Sequence, residues 1–276
     1  QDYTINIEGN STSVNQNITV RLSITANTLP ELPTNIVLEG APRKSKLSWT
    51  LSATDNIASY EIYRGLSAQP TTLYYTTTSE TENNYIDQNL TVGETYYYGI
   101  KVVDVDGNSN FSDDFAVTIP TSWTVSKETG SENGFGSTEN PFINIQDAVD
   151  ETINDDIVLV SPGTYQENIV IIGKVITLTT PDPSVSAETT IIDGGSSGFP
   201  VVSINGDNVS SDSSLIFSGF TVQNGLSPTA DQGAGIDVKI FYPTLMLENL
   251  IIRDNTSTTD AAGSFLYYTG DVVMSD

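Results

Sequence analysis

The stretch Leu215-Ile216-Phe217-Ser218-Gly219-Phe220-Thr221-Val222-Gln223-Asn224 returns thirty residues later as Leu245-Met246-Leu247-Glu248-Asn249-Leu250-Ile251-Ile252-Arg253-Asp254. Leu215, Phe217, Phe220 and Val222 are replaced in kind by Leu245, Leu247, Leu250 and Ile252, and Asn224 by Asp254. Ala234-Gly235-Ile236-Asp237-Val238 recurs in turn as Gly263-Ser264-Phe265-Leu266-Tyr267, twenty-nine residues on. Strand-forming segments punctuated by Gly and Asn at a fixed period predict a solenoid in which each coil buries the apolar face of the last. Asn and Asp suit left-handed corners, and like side chains can stack from coil to coil. A second β-sandwich is the alternative, but sandwich strands do not repeat their sequence at such an offset.

Working back toward the N-terminus, Ile157-Val158-Leu159-Val160 reads as a strand, as does Trp123-Thr124-Val125-Ser126. Between them, residues 141 to 153 read as the one helix of the chain, with Phe142, Ile145, Val149 and Ile153 forming an apolar stripe and acids opposite. Pro141-Phe142-x-x-Ile145-Gln146-x-Ala148, then residues 156 to 169 with their Pro162-Gly163-Thr164-Tyr165 turn, then Gly173-Lys174-Val175-Ile176-Thr177-Leu178 and Thr190-Ile191-Ile192-Asp193-Gly194-Gly195 resemble the N-terminal end of right-handed parallel β-helix proteins of the pectate-lyase-like superfamily. Gly219-Phe220-Thr221-Val222-Gln223-Asn224-Gly225 resembles the repeated rung of that family. The resemblance covers 123 to 276. It implies that the helix caps the open end of the coil, and it leaves function open, because the superfamily spans lyases, hydrolases, epimerases, tailspikes and non-catalytic surface proteins. The family's coils run on to a C-terminal cap; here the sequence stops in mid-rung at Val272-Val273-Met274-Ser275-Asp276, which predicts a truncated fragment.

Before this half, Leu29-Pro30-Glu31-Leu32-Pro33 reads as a semi-rigid linker, followed by about seven short strands up to Pro120. Leu47 and Trp49, then Tyr60, Ile62 and Arg64, then Tyr96, Tyr98, Ile100 and Val102 alternate with period two, the pattern of an antiparallel β-sandwich. The segments 46 to 50, 59 to 64 and 90 to 96 resemble, in order, strand B with its core tryptophan, strand C and the tyrosine corner of a fibronectin type III domain. Val92 stands where that family usually has Pro. Residues 1 to 30, with alternating Tyr3, Ile5, Ile7 and Ile18, Val20, Leu22, Ile24, are expected to be the end of a preceding β-sandwich domain or a strand pair. The expected fold is therefore all-β: a strand pair (1–30), a fibronectin type III-like sandwich (31–120), and the first coils of a parallel β-helix with a capping helix (121–276).

Composition narrows the chemistry. Thirty-five acids against ten Lys plus Arg give a formal charge of -25, which excludes nucleic-acid binding and disfavours anionic membranes. Without His or Cys, the nucleophilic triads that use them and metal sites with nitrogen or sulfur ligands are excluded, so any metal is a hard, oxygen-liganded cation. No apolar run is long enough to span a bilayer. Thr, Ser and Asn richness with few Lys points to an extracellular or cell-surface bacterial protein.

Asp104, Asp106, Asn108 and Asn110, with Gly107 between them, place oxygens at alternate positions as a calcium loop does. The competing reading is a hairpin turn, since the twelfth position is Phe115 rather than a bidentate Glu. A lyase of the β-helix superfamily would need a Lys or Arg base. Residues 121 to 276 contain only Lys127, Lys174, Lys239 and Arg253 against 21 acids, and Arg253 beside Asp254 is the candidate, with a solvated strand charge as the alternative. Glycoside hydrolysis needs two spaced carboxylates, and acids this plentiful decide nothing. No catalytic residue and no cofactor is assigned beyond the calcium candidate. Two functions are expected: a non-catalytic adhesion or glycan-binding module, with Tyr242, Tyr267 and Tyr268 as candidate stacking platforms, or a polysaccharide lyase or glycoside hydrolase whose active-site rungs lie beyond residue 276.

Overall fold

Alternation of apolar and polar residues governs both parts of the chain, but the strands pair differently in each. The computed structural model describes residues 28–206, 209, 214–227, 232–239, 244–258, 262–267 and 272–275. The strands expected within residues 1 to 27 lie outside this set, as do Tyr242, Tyr268 and the side chain of Tyr267.

The first eight strands are β1 (Thr34–Ala41), β2 (Lys44–Thr50), β3 (Ile57–Gly65), β4 (Thr72–Thr76), β5 (Asn84–Gln88), β6 (Thr95–Asp104), β7 (Ser109–Phe111) and β8 (Phe115–Thr118). They form two antiparallel sheets, β1-β2-β5 and β4-β3-β6-β7, with β8 also on β6. The inward residues Leu47, Trp49, Tyr60, Ile62, Tyr98, Ile100 and Val102 fill the space between the sheets. Trp49 and Tyr60 meet at 5.5 Å between ring centroids. The corner expected at Tyr96 is present: the backbone N–H of Thr91 donates to its hydroxyl at 3.1 Å, and Leu90 is buried with it. Arg64 leaves the apolar row to hold a part-buried network. Its Nη1 donates to both oxygens of Asp87 (2.9 and 2.7 Å), and the Tyr98 hydroxyl donates to Asp87 Oδ2 at 2.8 Å. Burial, reinforced by the Asp87 carboxylate, holds the Tyr98 phenol far above its usual value.

From residue 122 every ladder among the described residues is parallel. One sheet stacks β9 (Ser122–Val125), β10 (Ile157–Val160), β13 (Thr177–Thr179), β16 (Ser214–Ser218), β20 (Thr244–Glu248) and β24 (Val272–Ser275). A second stacks β11 (Gly163–Tyr165), β14 (Thr190–Asp193), β17 (Thr221–Gln223) and β21 (Ile251–Arg253). A third stacks β12 (Ile169–Ile172), β15 (Val202–Asn205), β19 (Ile236–Lys239) and β23 (Ser264–Tyr267), and β18 (Leu226–Ser227) pairs β22 (Thr256–Ser257). The thirty-residue offset holds as expected: Leu215 pairs with Leu245, Phe217 with Leu247, and Val222 with Ile252. The twenty-nine-residue offset does not. Ile236 pairs with Ser264 and Val238 with Leu266, one residue short of the expected register. Side-chain period explains the correction, because a one-residue slip turns every side chain to the other face. Val238 is fully buried, and Leu266 packs against the same core.

The helix is shorter than the stripe predicts. α1 runs Ile145–Glu151 and buries Ile145, Ala148 and Val149. Ile153 lies beyond its end and is 56% exposed, and Phe142 precedes it, buried through bridges to Val125 and Ser131. Thr152 ends the helix by turning extended, its N–H and hydroxyl both donating to Val149 O. A second helical turn, α2 (Pro183–Ser186), corrects the expectation of a single helix. α1 rests on β12, β9 and β10, the strands at which the third and first sheets begin. Charge complements both of its ends. Glu167 accepts from the N–H groups of Ile145 (2.8 Å) and Gln146 (3.0 Å), and Lys174 Nζ donates to the carbonyls of Val149 (2.6 Å) and Thr152 (3.2 Å).

The two parts meet through the β1–β2 turn. Arg43 Nη1 lies 2.5 Å from Asp156 Oδ1, while Asp156 Oδ2 accepts from the indole N–H of Trp123 at 3.1 Å. Lys44 Nζ sits 4.8 Å from the Trp123 ring centroid, 4.7 Å from that of Phe135, and 3.1 Å from Glu151 Oε2. Ala41 is fully buried within the apolar core of the parallel part.

Candidate functional site

Each cation of the parallel part is engaged by its own surroundings. Lys174 caps α1, and burial lowers its ammonium pKa. Lys127 lies 5.8 Å from the Tyr165 ring centroid, and Lys239 lies 3.5 Å from the carboxylate of Asp237. Arg253, the residue singled out as a potential base, stands on the outer face of β21 with its Nε donating to Gln223 Oε1 at 3.1 Å and 3.8 Å from Asp254.

Arg253 belongs to a polar row that the sequence reading missed. Asp193, Gln223 and Arg253 occupy the same register position on successive strands β14, β17 and β21. Gln223 Nε2 donates to Asp193 Oδ2 at 2.9 Å, Asn224 Nδ2 donates to the same oxygen at 2.8 Å, and the N–H of Gly195 donates to Oδ1 at 2.9 Å. Burial alone would raise the Asp193 carboxyl; the donors from Gln223, Gly195 and Asn224 outweigh it and hold the group below the usual carboxylate range. The signal was in the repeat, since side chains at one register position of a parallel stack must be neighbours. Because the folded pKa is the lower one, Asp193 contributes stability above its unfolded pKa and loses it as pH falls through the folded value. Asp193→Asn is therefore expected to cost about 1 kcal/mol near neutral pH. That difference should vanish in acid, as read from urea unfolding midpoints at a series of pH values.

The calcium candidate is organised as a turn. Asp104 Oδ1 accepts from the N–H groups of Asp106 (3.0 Å) and Asn108 (2.8 Å), and Oδ2 accepts from Asn108 Nδ2 at 2.9 Å. The Asn108 side chain, more than its backbone, draws the Asp104 carboxyl below its ordinary value. Asn110 Nδ2 points elsewhere, donating to Pro30 O at 3.1 Å. These four residues thus lie along one hairpin, with Asn110 turned away from Asp104. Among the described residues no three His, Cys, Asp or Glu side chains converge as a metal cluster, and no helix is long and apolar enough to cross a membrane.

No family model matches the chain. An amylopullulanase of Thermoanaerobacterium thermosulfurigenes is 36% identical over 94 residues, which is 34% of this chain and 5% of that protein. The chain therefore spans about one-twentieth of the length of that curated relative. Among solved structures, an Fn3-like protein from Clostridium thermocellum is 24% identical, with 34% of this chain and 96% of that one covered at a TM-score of 0.29. The sixth fibronectin type III domain of a human fibronectin type III domain containing protein is 16% identical, with 35% and 91% covered at a TM-score of 0.31. A beta-1,2-glucanase from Parabacteroides distasonis is 25% identical, with 34% and 14% covered at a TM-score of 0.26. With its two-sheet strand order, buried Trp49 and tyrosine corner, the antiparallel part of this chain is fibronectin type III-like.

Proposed function

We propose that this chain is a non-catalytic glycan-binding or adhesive segment of a secreted or cell-surface multidomain protein. In this reading residues 31–120 are a fibronectin type III-like module. Residues 121–276 are the first coils of a right-handed parallel β-helix of the pectate-lyase-like superfamily, with α1 as its cap. Support for the solenoid comes from three parallel stacks visited in turn, and parallel connections of this kind are right-handed almost without exception. The observation that carries the non-catalytic reading is the engagement of Lys127, Lys174, Lys239 and Arg253 in ring, carbonyl, carboxylate and amide contacts, in place of poised bases. The stretch shared with an amylopullulanase supports a carbohydrate-active context. At a net charge of -25, the glycan that binds is expected to be neutral.

Affinity electrophoresis of the whole chain against neutral and uronate polysaccharides tests this. Retardation by a neutral glycan is the expected outcome, and free migration through every gel would end the glycan reading. The alternative is a lyase or hydrolase whose active-site rungs lie beyond residue 276. Ultraviolet absorbance of unsaturated uronate product, released by the longer protein but not by this chain, would favour the lyase form. The hairpin at Asp104 is proposed as a turn in preference to a calcium loop, so calcium titrated into the chain should release no heat attributable to Asp104→Ala-sensitive binding.

A further inference from the structure

The outer face of the larger antiparallel sheet carries a feature that the core does not require. Tyr63 on β3 stands opposite Gly99 on β6, and Gly65 stands opposite Tyr97. A glycine in the interior of a strand often marks close approach by another group, and here that group is an aromatic ring. A Cβ on Gly99 would lie 2.4 Å from Phe111 Cε1, so the Phe111 ring of β7 occupies the space where a side chain would stand. Its ring centroid is 5.0 Å from that of Tyr63, yet Phe111 remains 39% exposed. The Tyr63 hydroxyl donates to Glu61 Oε2 at 2.9 Å, which also accepts from Lys101 Nζ at 3.0 Å, so the second ring is held in place.

Beside Phe111 opens a groove of about 370 Å³ whose wall includes Pro70 and the polar residues Gln69, Thr71, Asp113 and Asp114. Asp114 Oδ2 accepts from the N–H of Gln69, fixing one rim to the other. Among the described residues no donor reaches the Asp113 carboxylate. An apolar ring flanked by the free Asp113 carboxylate, with Asp114 already holding Gln69, matches a pyranose, which presents C–H groups on its faces and hydroxyl donors around its edge. Paired acids on the rim, in a chain of net charge -25, repel uronate and sulfated sugars at the same point.

We infer that Phe111 and Tyr63, with the groove bordered by Asp113 and Asp114, form a subsite for a neutral hexopyranose chain, located on the sandwich rather than on the parallel stack. This rests on the glycan-binding reading above and adds its place and ligand class. Affinity electrophoresis of the whole chain in pullulan, amylose and a neutral β-glucan, with polygalacturonate as the polyanion, provides the test. Wild-type protein is expected to be retarded by at least one neutral glucan. Phe111→Ala is expected to weaken that retardation about tenfold, the scale of one lost stacking contact with its buried area, while Phe111→Trp keeps it. Asp113→Ala, at an exposed position, should weaken it several-fold and stands in should Phe111→Ala unfold by circular dichroism. Equal retardation of wild type, Phe111→Ala and Asp113→Ala would overturn the subsite and leave glycan binding standing. Retardation by polygalacturonate alone would overturn the neutral class, and migration unaffected by all four polymers would overturn both the subsite and the reading beneath it.

Discussion

Asp156→Ala is expected to lower the stability of the whole chain by about 3 kcal/mol, because it strips three buried or half-buried donors of their acceptor at once. Asp156 Oδ1 faces Arg43, and Oδ2 takes the N–H of Ile153 at 3.0 Å and the indole N–H of Trp123 at 3.1 Å. Trp123 is 1% exposed, so its N–H has no water to turn to. Arg43 keeps a longer contact with Glu151 O at 3.3 Å and can reach solvent, so its share of the loss is the smaller one. Urea unfolding followed by tryptophan fluorescence reads the result. Arg43→Gln should lose less than Asp156→Ala, and the double variant should fall short of the sum, since the two residues share one interaction. A loss below about 1 kcal/mol for Asp156→Ala would mean that the junction is not held as described.

A comparable loss, about 2 to 3 kcal/mol, is expected for Gly225→Ala, by a different mechanism. An ideal Cβ at Gly225 would stand 2.0 Å from the carbonyl oxygen of Ala234 and 2.8 Å from a methyl group of Val201. Neither can yield cheaply. The Ala234 oxygen accepts from the N–H of Val201 at 3.0 Å, and Gly225 itself donates to Asn255 Oδ1 at 2.8 Å while its carbonyl accepts from Thr256. Moving the chain to admit one methyl group would break hydrogen bonds to Val201, Asn255 and Thr256 on neighbouring parallel segments. Gly263 is the control, because a Cβ there meets nothing within 4 Å among the described residues, and Gly263→Ala should leave the midpoint within about 0.5 kcal/mol of wild type. Thermal unfolding that ranks the two glycines equally would contradict the packing described for this corner.

Local rules carried much of the architecture. Leu215, Phe217 and Val222 and their successors at Leu245, Leu247 and Ile252 are stacked as their spacing requires, because a parallel ladder aligns like with like. Tyr96, Trp49 and the alternation around Ile100 place the sandwich core for the same reason: side-chain period and sheet face are one fact. The failures fall where tertiary contact outweighs pattern. Ile153 satisfies the helical stripe, yet Thr152 turns the chain and Ala148 takes the inner position. The match of Ile236 with Phe265 looked closer in residue type than the true partner Ser264, but the core selects by the face on which Val238 and Leu266 lie. Contacts such as Lys44 with Trp123 and Phe135, about eighty to ninety residues apart, have no sequence signature at all. The groove beside Phe111 could have been suspected, since Gly99 interrupts an otherwise bulky strand and asks what lies above it. Aromatic candidates at Tyr242 and Tyr268 rested on composition alone, and both lie outside the described residues.

The joint at Arg43 and Lys44 also bears on how the chain would meet a long ligand under the proposed function. Only a few residues separate β8 from β9, and Ile119 among them is fully buried with Pro120 half-buried beside it, so the connection is not a tether whose ends wander. For modules on a flexible string, the second binding event is governed by an effective concentration that falls with linker length. Here the separation between the Phe111 face and the outer rows of the parallel stack is set by ion pairs and by a lysine held against aromatic rings. A polymer held at the proposed Phe111 subsite would therefore meet the parallel part at one fixed distance and orientation, as against a ruler.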